Sequence, residues 1–428
     1  MKKVTVALDR NKNASESEVG YKKVRKYLIP NDWDLIKLGD MSTKVGSGKT
    51  PRGGEAVYQN SGIPFIRSQN VLNNRLELNG ISYISDSIHN EMKSTKVIPN
   101  DVLLNITGAS IGRCCIVPDS FNEGNLNQHV CIIRTKDTLD RNYLVNILLS
   151  PIGQNQIMNN QAGGNREGLN FEQIRKFDIP LPPLKEQQKI ASILSTWDKA
   201  IELKEKLIEQ KKELKKGLMQ KLLTGEVRMP GFEDEWKKVR IKDFCRTYSG
   251  GTPNRSIREY YEEGAIPWIK SGELNARKVT KVEEYITELG LKKSSAKLVS
   301  PNTLLLALYG ATAGVIAKCE ITATINQAIL AIVPNERCNN NFLFYYLEYA
   351  MSEIINTYTQ GGQPNLNAEI VKNLLVELPS TEEQNIISLI FMVCDEEIEL
   401  YTKELEQLKY QKQSLMQQLL TGKVRVKV

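Results

Sequence analysis

The sequence predicts an α+β protein: two tandem mixed α/β domains separated by two long α-helices packed as an antiparallel coiled coil, a pseudo-twofold internal repeat. Three observations carry that prediction. An eleven-residue segment occurs twice in nearly identical form; two stretches hold heptad-spaced positions over many turns; and the remainder consists of short apolar runs broken by Gly, Pro and Asn.

The repeat comes first. Leu218-Met219-Gln220-Lys221-Leu222-Leu223-Thr224-Gly225-Glu226-Val227-Arg228 returns as Leu415-Met416-Gln417-Gln418-Leu419-Leu420-Thr421-Gly422-Lys423-Val424-Arg425, nine of eleven positions identical. Pro182 and Glu186-Gln187 match Pro379 and Glu383-Gln384 at the same offset, and Leu169-Asn170 matches Leu366-Asn367. Elsewhere the copies diverge. Ile63-Pro64-Phe65-Ile66-Arg67-Ser68 answers Ile266-Pro267-Trp268-Ile269-Lys270-Ser271, Gly108 to Gly112 answers Gly310 to Gly314, and Asn127-Gln128 answers Asn326-Gln327. Trp33 and Trp236 open the two copies. What is shared is mostly helical and what differs is mostly globular.

From Ile387 the seam runs through Phe391, Cys394, Ile398, Tyr401, Leu405, Leu408, Lys412, Leu415 and Leu419, alternating four and three residues. The matching positions of the first helix are Ile190, Leu194, Trp197, Ile201, Lys204, Ile208, Lys211, Lys215, Leu218 and Leu222. Three lysines interrupt that seam, and charge suggests the partner that accommodates them. Residues 185–228 carry 11 basic and 7 acidic residues, whereas 380–428 carry 6 and 8. The two helices are therefore expected to pack against each other, with Ile190, Leu194, Trp197, Ile201, Leu218 and Leu222 facing Ile387, Phe391, Ile398, Leu405, Leu408, Leu415 and Leu419. Each is expected to stop at a glycine, Gly225 or Gly422.

The domain boundaries that follow are a basic N-terminal extension at 1–28, globular domains at 29–183 and 229–379, and helices at 184–228 and 380–428. In the globular parts, Val102 to Ile106, Cys114 to Val117, Val130 to Ile133, Leu304 to Leu308 and Ile329 to Val333 read as strands. Leu139 to Met158 and Asn341 to Tyr358 read as helices.

Composition narrows the function classes. The 428 residues are 41% apolar and 25% charged, which suits a soluble globular chain. The longest apolar stretch, Leu304 to Ala317, falls short of the roughly 18 residues of a membrane span. The first residues lack the apolar run of a signal peptide, so a cytoplasmic location is expected. Seven cysteines, without a C-x-x-C pair, argue against a disulfide framework and a zinc site, and two histidines supply little for metal or hydrolase chemistry. No metal site is expected. Gly48-Lys49-Thr50 mimics a phosphate loop, but Thr43 stands where its first glycine is required and Pro51 follows at once. Leu181-Pro182-Pro183-Leu184 lacks the polar and aromatic groups of a methyltransferase motif, and Pro118-Asp119 lacks the Glu-x-Lys of a nuclease core.

Several loops carry residue types that contact nucleic acid: Lys49 and Thr50; Arg67, Gln69 and Asn70; Asn165 and Arg166; Thr252, Asn254 and Arg255; Lys270 and Glu273; Gln363 and Asn365. Arg, Lys, Asn and Gln bind base edges and phosphates, and neighbouring glycines admit a close backbone. Such clusters also make ordinary turns. The formal charge of +7 is exhausted by the first 28 residues and the helices, leaving the globular parts neutral together. Phosphate contacts must then come from segregated cations or from a partner.

Two divergent globular parts, each followed by a near-copied helix, with Ile-Pro-Phe/Trp-Ile-Arg/Lys-Ser, Asn-Gln and Leu-Met-Gln-x-Leu-Leu-Thr-Gly, closely resemble the specificity subunit of type I restriction–modification systems. The resemblance runs from about Ile29 to Arg425; the stretch before Ile29 lies outside it. It implies a non-catalytic subunit with two target-recognition domains, each reading one half of a bipartite asymmetric site on double-stranded DNA. The partners it implies are two methyltransferase subunits and, for cleavage, two restriction/translocase subunits, which would carry S-adenosylmethionine, ATP and Mg²⁺; this chain would bind no cofactor. The helices would set half-site spacing and offer two equivalent docking places for one kind of partner. The rival classes are a stand-alone DNA methyltransferase or nuclease with an unrecognised active site, and a protein-binding scaffold.

Overall fold

The structure is a computed structural model that describes residues 20–161, 168–358 and 366–428. It divides into two compact units, Met1–Leu203 with Glu404–Val428, and Lys204–Lys403. Each long helix, Leu184–Leu223 and Thr381–Leu420, divides its 40 residues between the two units. At ~1.5 Å per residue, each helix is ~60 Å long.

In the first unit, the antiparallel strands Cys114–Ile116, Val102–Asn105, Val130–Thr135 and Ser42–Ser47 form one sheet in that order. A second sheet orders Ser82–Ile84, Ile63–Ile66, Gly124–Leu126 and Lys96–Val97, the middle two parallel. The expected strands are present because both faces of the first sheet are buried. Leu104, Cys131 and Ile133 enter one core while Leu103, Cys115 and Ile132 enter another, so the sequence reads as continuous apolar runs with no polar alternation. The second unit repeats this order with Ile316–Cys319, Leu304–Ala307, Ile329–Pro334 and Cys245–Ser249, adding Lys278–Val279 beside Ile316–Cys319. Its second sheet is Glu284–Ile286, Ile266–Ile269, Ala323–Ile325 and Lys297–Val299.

One expectation needs correction. The helix expected from Leu139 to Met158 is two helices, Arg141–Leu149 and Pro151–Gln161. Ser150 is extended (φ −76°, ψ 167°), as the residue before a proline is pushed to be. The counterpart Asn340–Tyr358 has no proline and is unbroken. Within the extension at 1–28, residues 20–28 are described. Tyr21–Val24 pairs with Tyr27–Pro30 in a hairpin, Ile29 is buried in the first unit's core, and the Tyr21 hydroxyl donates to the Gly422 carbonyl at 2.8 Å. Residues 1–19 lie outside the described residues.

Candidate nucleic-acid interface and its helical support

Strand Ser42–Ser47 leads into Gly48-Lys49-Thr50-Pro51. A Cβ on Gly48 would lie 1.6 Å from the Leu126 carbonyl oxygen, so only glycine lets the Lys49 N–H reach that oxygen at 3.1 Å. This pins the loop against Asn127-Gln128-His129, whose Asn127 N–H donates to Ile66 O at 3.0 Å. The Thr50 hydroxyl donates to the Gln128 side-chain carbonyl, and Thr107 Oγ1 meets His129 Nδ1 at 2.6 Å. Three loops and the exit of strand Ile63–Ile66 thus converge. The second unit repeats the device. A Cβ on Gly250 would lie 1.8 Å from the Ile325 carbonyl oxygen, and the Gly251 N–H donates to that oxygen at 3.0 Å. Asn326 N–H donates to Ile269 O, and Thr252 bonds Gln327. The Gly-x-Thr-Pro and Asn-Gln motifs, separate in the sequence, are the two halves of one loop junction.

The candidates on these loops divide by environment. Lys49, Thr50 and Gln69 are exposed. Arg67 lies 5.4 Å from the Tyr58 ring centroid and 3.6 Å from Glu55. Thr252, Asn254 and Arg255 are exposed, and Asn254 Oδ1 accepts from Ser256 N and Oγ at 3.0 and 2.8 Å. Arg255 stacks on Tyr261 and Trp268, 4.7 and 4.8 Å from their centroids, and bonds Glu284 at 2.7 Å. Lys270 reaches the same carboxylate at 2.9 Å. The Arg255 hydrogen bond, followed by that of Lys270, holds the Glu284 carboxyl below its ordinary range.

Two candidates are turn caps. Asn70 is 3% exposed; its Oδ1 accepts from Arg67 N at 2.9 Å and its Nδ2 donates to Glu77 O at 3.1 Å. Glu273, in the matching turn, accepts from Lys270 N at 2.6 Å and Glu283 N at 2.8 Å. A short polar side chain three residues after a strand exit satisfies backbone donors as readily as it meets a base, and here both are spent that way. Asn165, Arg166, Gln363 and Asn365 lie outside the described residues.

Within each unit the long helices run antiparallel. In the first, Ile190 and Leu194 share a core with Leu415 and Leu419. In the second, Leu218 and Leu222 share one with Ile387 and Phe391. Trp197, Ile201, Ile398, Leu405 and Leu408 are partly buried. The interrupting lysines are paired rather than disruptive. Lys211 lies 2.7 Å from Glu397, Lys215 lies 2.6 Å from Asp395, and Lys204 stacks on Tyr401 at 4.6 Å. Lys412, the polar member of the other seam, pairs with Asp198 in the first unit.

The helix starts are sealed by residues that the repeat contains but whose role its pattern does not reveal. Glu186 is 1% exposed and accepts from Trp33 Nε1 at 3.1 Å and from Arg425 Nε and Nη2, both at 2.8 Å. Glu383, fully buried, accepts from Trp236 Nε1 at 3.1 Å and from Arg228 at 3.0 and 2.8 Å. The adjacent glutamines hold backbone: Gln187 bonds Asp140 N, Thr138 O and Pro182 O, and Gln384 bonds Asn339 N, Arg337 O and Pro379 O. The repeat of Trp, Glu-Gln and Arg at matching positions is the available signal; polar residues copied where the surroundings diverge point to a shared buried network. Among the described residues, no group of three or more His, Cys, Asp or Glu could hold a metal ion, and no helix is long and apolar enough to cross a membrane.

The type I restriction modification DNA specificity domain matches the chain twice, over residues 30–213 and 233–410. The chain belongs to that family. Among its relatives in the specificity-domain family is a putative type I restriction enzyme MjaX specificity subunit of Methanocaldococcus jannaschii, 27% identical over 96% of this chain and 98% of the relative. The MjaVIII specificity subunit of the same organism is 27% identical over 96% and 97%. The Escherichia coli EcoKI specificity subunit is 20% identical over 83% and 80%. Solved structures of the family share the fold: a chain from a study of complex assembly and conformational transition of the type I system (TM-score 0.62, 18% identity, 93% and 100% coverage), and an M. genitalium type I S subunit (TM-score 0.56, 16%, 90% and 96%). Both family matches run from a globular part into a long helix, as the sequence repeat does.

Proposed function

We propose that this chain is the non-catalytic DNA sequence-recognition subunit of a type I restriction–modification complex. Each globular domain reads one half of a bipartite, asymmetric site on double-stranded DNA. The helices set the spacing and dock two methyltransferase subunits, joined for cleavage by two restriction/translocase subunits. S-adenosylmethionine, ATP and Mg²⁺ act in those partners, and the assembly works in the cytoplasm. The domain limits that go with this reading are 29–183 and 229–379 for recognition, and 184–228 and 380–428 for the spacers.

One observation carries the reading: two loop junctions with the same backbone scaffold present different side chains. Lys49, Arg67 and Gln69 in the first correspond to Gly251, Lys270 and Gly272 in the second. A common scaffold with different base-edge donors suits two different half-sites, since the major groove gives each base pair its own donor and acceptor pattern. Methylation mapping of the source genome tests it. A modified motif of two unlike halves, lost when this chain is deleted, is expected. A genome in which deletion changes no methylated motif would refute it.

A further inference from the structure

Sequence-equivalent outer faces of the two long helices differ in chemistry. On the second helix, Glu382, Ile386, Leu389, Val393, Glu396 and Leu400 recur at alternating four and three spacing and so share one stripe, beside the seam of Ile387, Phe391 and Ile398. The stripe is open: Ile386 is 38% exposed, Leu389 58%, Val393 54% and Leu400 54%. At the same places 197 residues earlier, the first helix carries Lys185, Lys189, Ser192, Thr196, Lys199 and Leu203.

Charge sharpens the difference. Residues 380–402 hold six acidic side chains and no Lys or Arg, while 183–205 hold four of each sign. Three of the six carboxylates turn inward, Glu383 to Arg228, Asp395 to Lys215 and Glu397 to Lys211. Glu382 and Glu396 stay exposed on the stripe itself. Single exposed apolar residues are ordinary, but Ile386, Leu389 and Val393 on successive turns, with Glu382 before them and Glu396 after, have the form of a helix-docking surface.

We propose that this face of the second helix is the tighter docking surface for the methyltransferase partner, and that it takes an amphipathic helix whose apolar side is flanked by Lys or Arg. The matching face of the first helix is a weaker surface, because its lysines repel the same basic flanks and its Ser192 and Thr196 offer little apolar area. The two docking places are therefore unequal, and the partner loads in two steps. This rests on the recognition-subunit reading above.

Calorimetric titration of the full-length chain with the methyltransferase subunit from the same source tests it. Two binding events at least tenfold apart in Kd are expected. The double variant Leu389→Glu, Val393→Glu should weaken the tighter event at least a hundredfold and spare the other. Ser192→Glu, Thr196→Glu should leave the tighter event within twofold. Should the apolar variant lose helical signal, Glu382→Lys, Glu396→Lys replaces it, with at least fivefold weakening at low salt that fades at high salt. Two events of equal affinity, or an apolar variant that changes only the weaker event, overturn the inequality and leave the recognition reading standing. A wild-type chain that binds no methyltransferase subunit overturns both.

Discussion

Arg228 and Glu383 lie 155 residues apart and meet through two nitrogen–oxygen contacts of 3.0 and 2.8 Å, the carboxylate fully buried. Arg228 closes the copied helix-end segment of the first repeat; Glu383 opens the helix of the second. In the other unit, Arg425 of the second repeat closes on Glu186 of the first. Each repeat's tail therefore seals the other repeat's helix start. A bidentate guanidinium–carboxylate pair has the geometry for this, because it satisfies both carboxylate oxygens at once.

Removing one partner of such a pair leaves the other charge buried, which costs about 3–5 kcal/mol in comparable sites. Glu383→Ala should destabilise the second unit by about 3 kcal/mol, since Arg228 keeps partial access to water and can recover some hydration. In a double-mutant cycle with Arg228→Ala, urea unfolding should give a coupling energy of about 2 kcal/mol. Strictly additive effects would mean that the contact is geometric only.

Acid should act on the second unit through Asp395. Burial alone would raise its pKa, but hydrogen bonds from Arg277 and Lys215 outweigh burial and hold it below the usual Asp value. Because the folded value is depressed, the group stabilises the fold above its unfolded value of about 3.9, and that contribution is lost as pH falls through the folded value. Asp395→Asn should lower the melting temperature at neutral pH and flatten its fall below about pH 4. An unchanged acid slope in the variant would remove Asp395 from the account.

The heptad seam, the glycine helix stops and the central strands were legible in the sequence because each follows from local periodicity or a backbone requirement. The helix pairing was legible from charge: the lysines that break one seam find Asp395, Glu397 and Tyr401 on the other. What was not legible depends on what a side chain meets in three dimensions. Asn70 and Glu273 have the chemistry of base readers, yet their turns use them first. Glu186 and Glu383 look like surface charges on a helix until Trp33, Trp236 and the two arginines arrive from distant sequence. The Pro151 break was visible as a residue type and was outweighed by the apolar pattern on either side of it.

Arg255 is the candidate reader with the most fixed geometry, stacked on two rings and anchored by Glu284. An arginine held this way loses little freedom on meeting a base. Arg255→Ala should weaken specific DNA binding by the assembled methyltransferase by about 1–3 kcal/mol and relax one position of one half-site. Binding to a panel of single-base variants of the mapped site would show the change confined to the half read by residues 229–379. Uniform weakening across the panel would assign Arg255 to phosphate contact.

A length change in the two long helices separates a ruler from a mere linker. Deleting residues 201–207 removes one heptad, ~10.5 Å of helix, from one strand of the seam only. The Lys211–Glu397 and Lys412–Asp198 pairs then cannot both keep their register, so this deletion alone should lower stability sharply. Deleting the matching residues 398–404 as well restores register in both units. The doubly shortened chain should refold, as read by circular dichroism and melting, and should prefer half-sites about three base pairs closer, since base pairs rise ~3.4 Å each. Methylation of a spacer-length library by the assembled complex measures that preference. A restored, active complex with its original spacer would show that the helices hold the domains together without setting their distance.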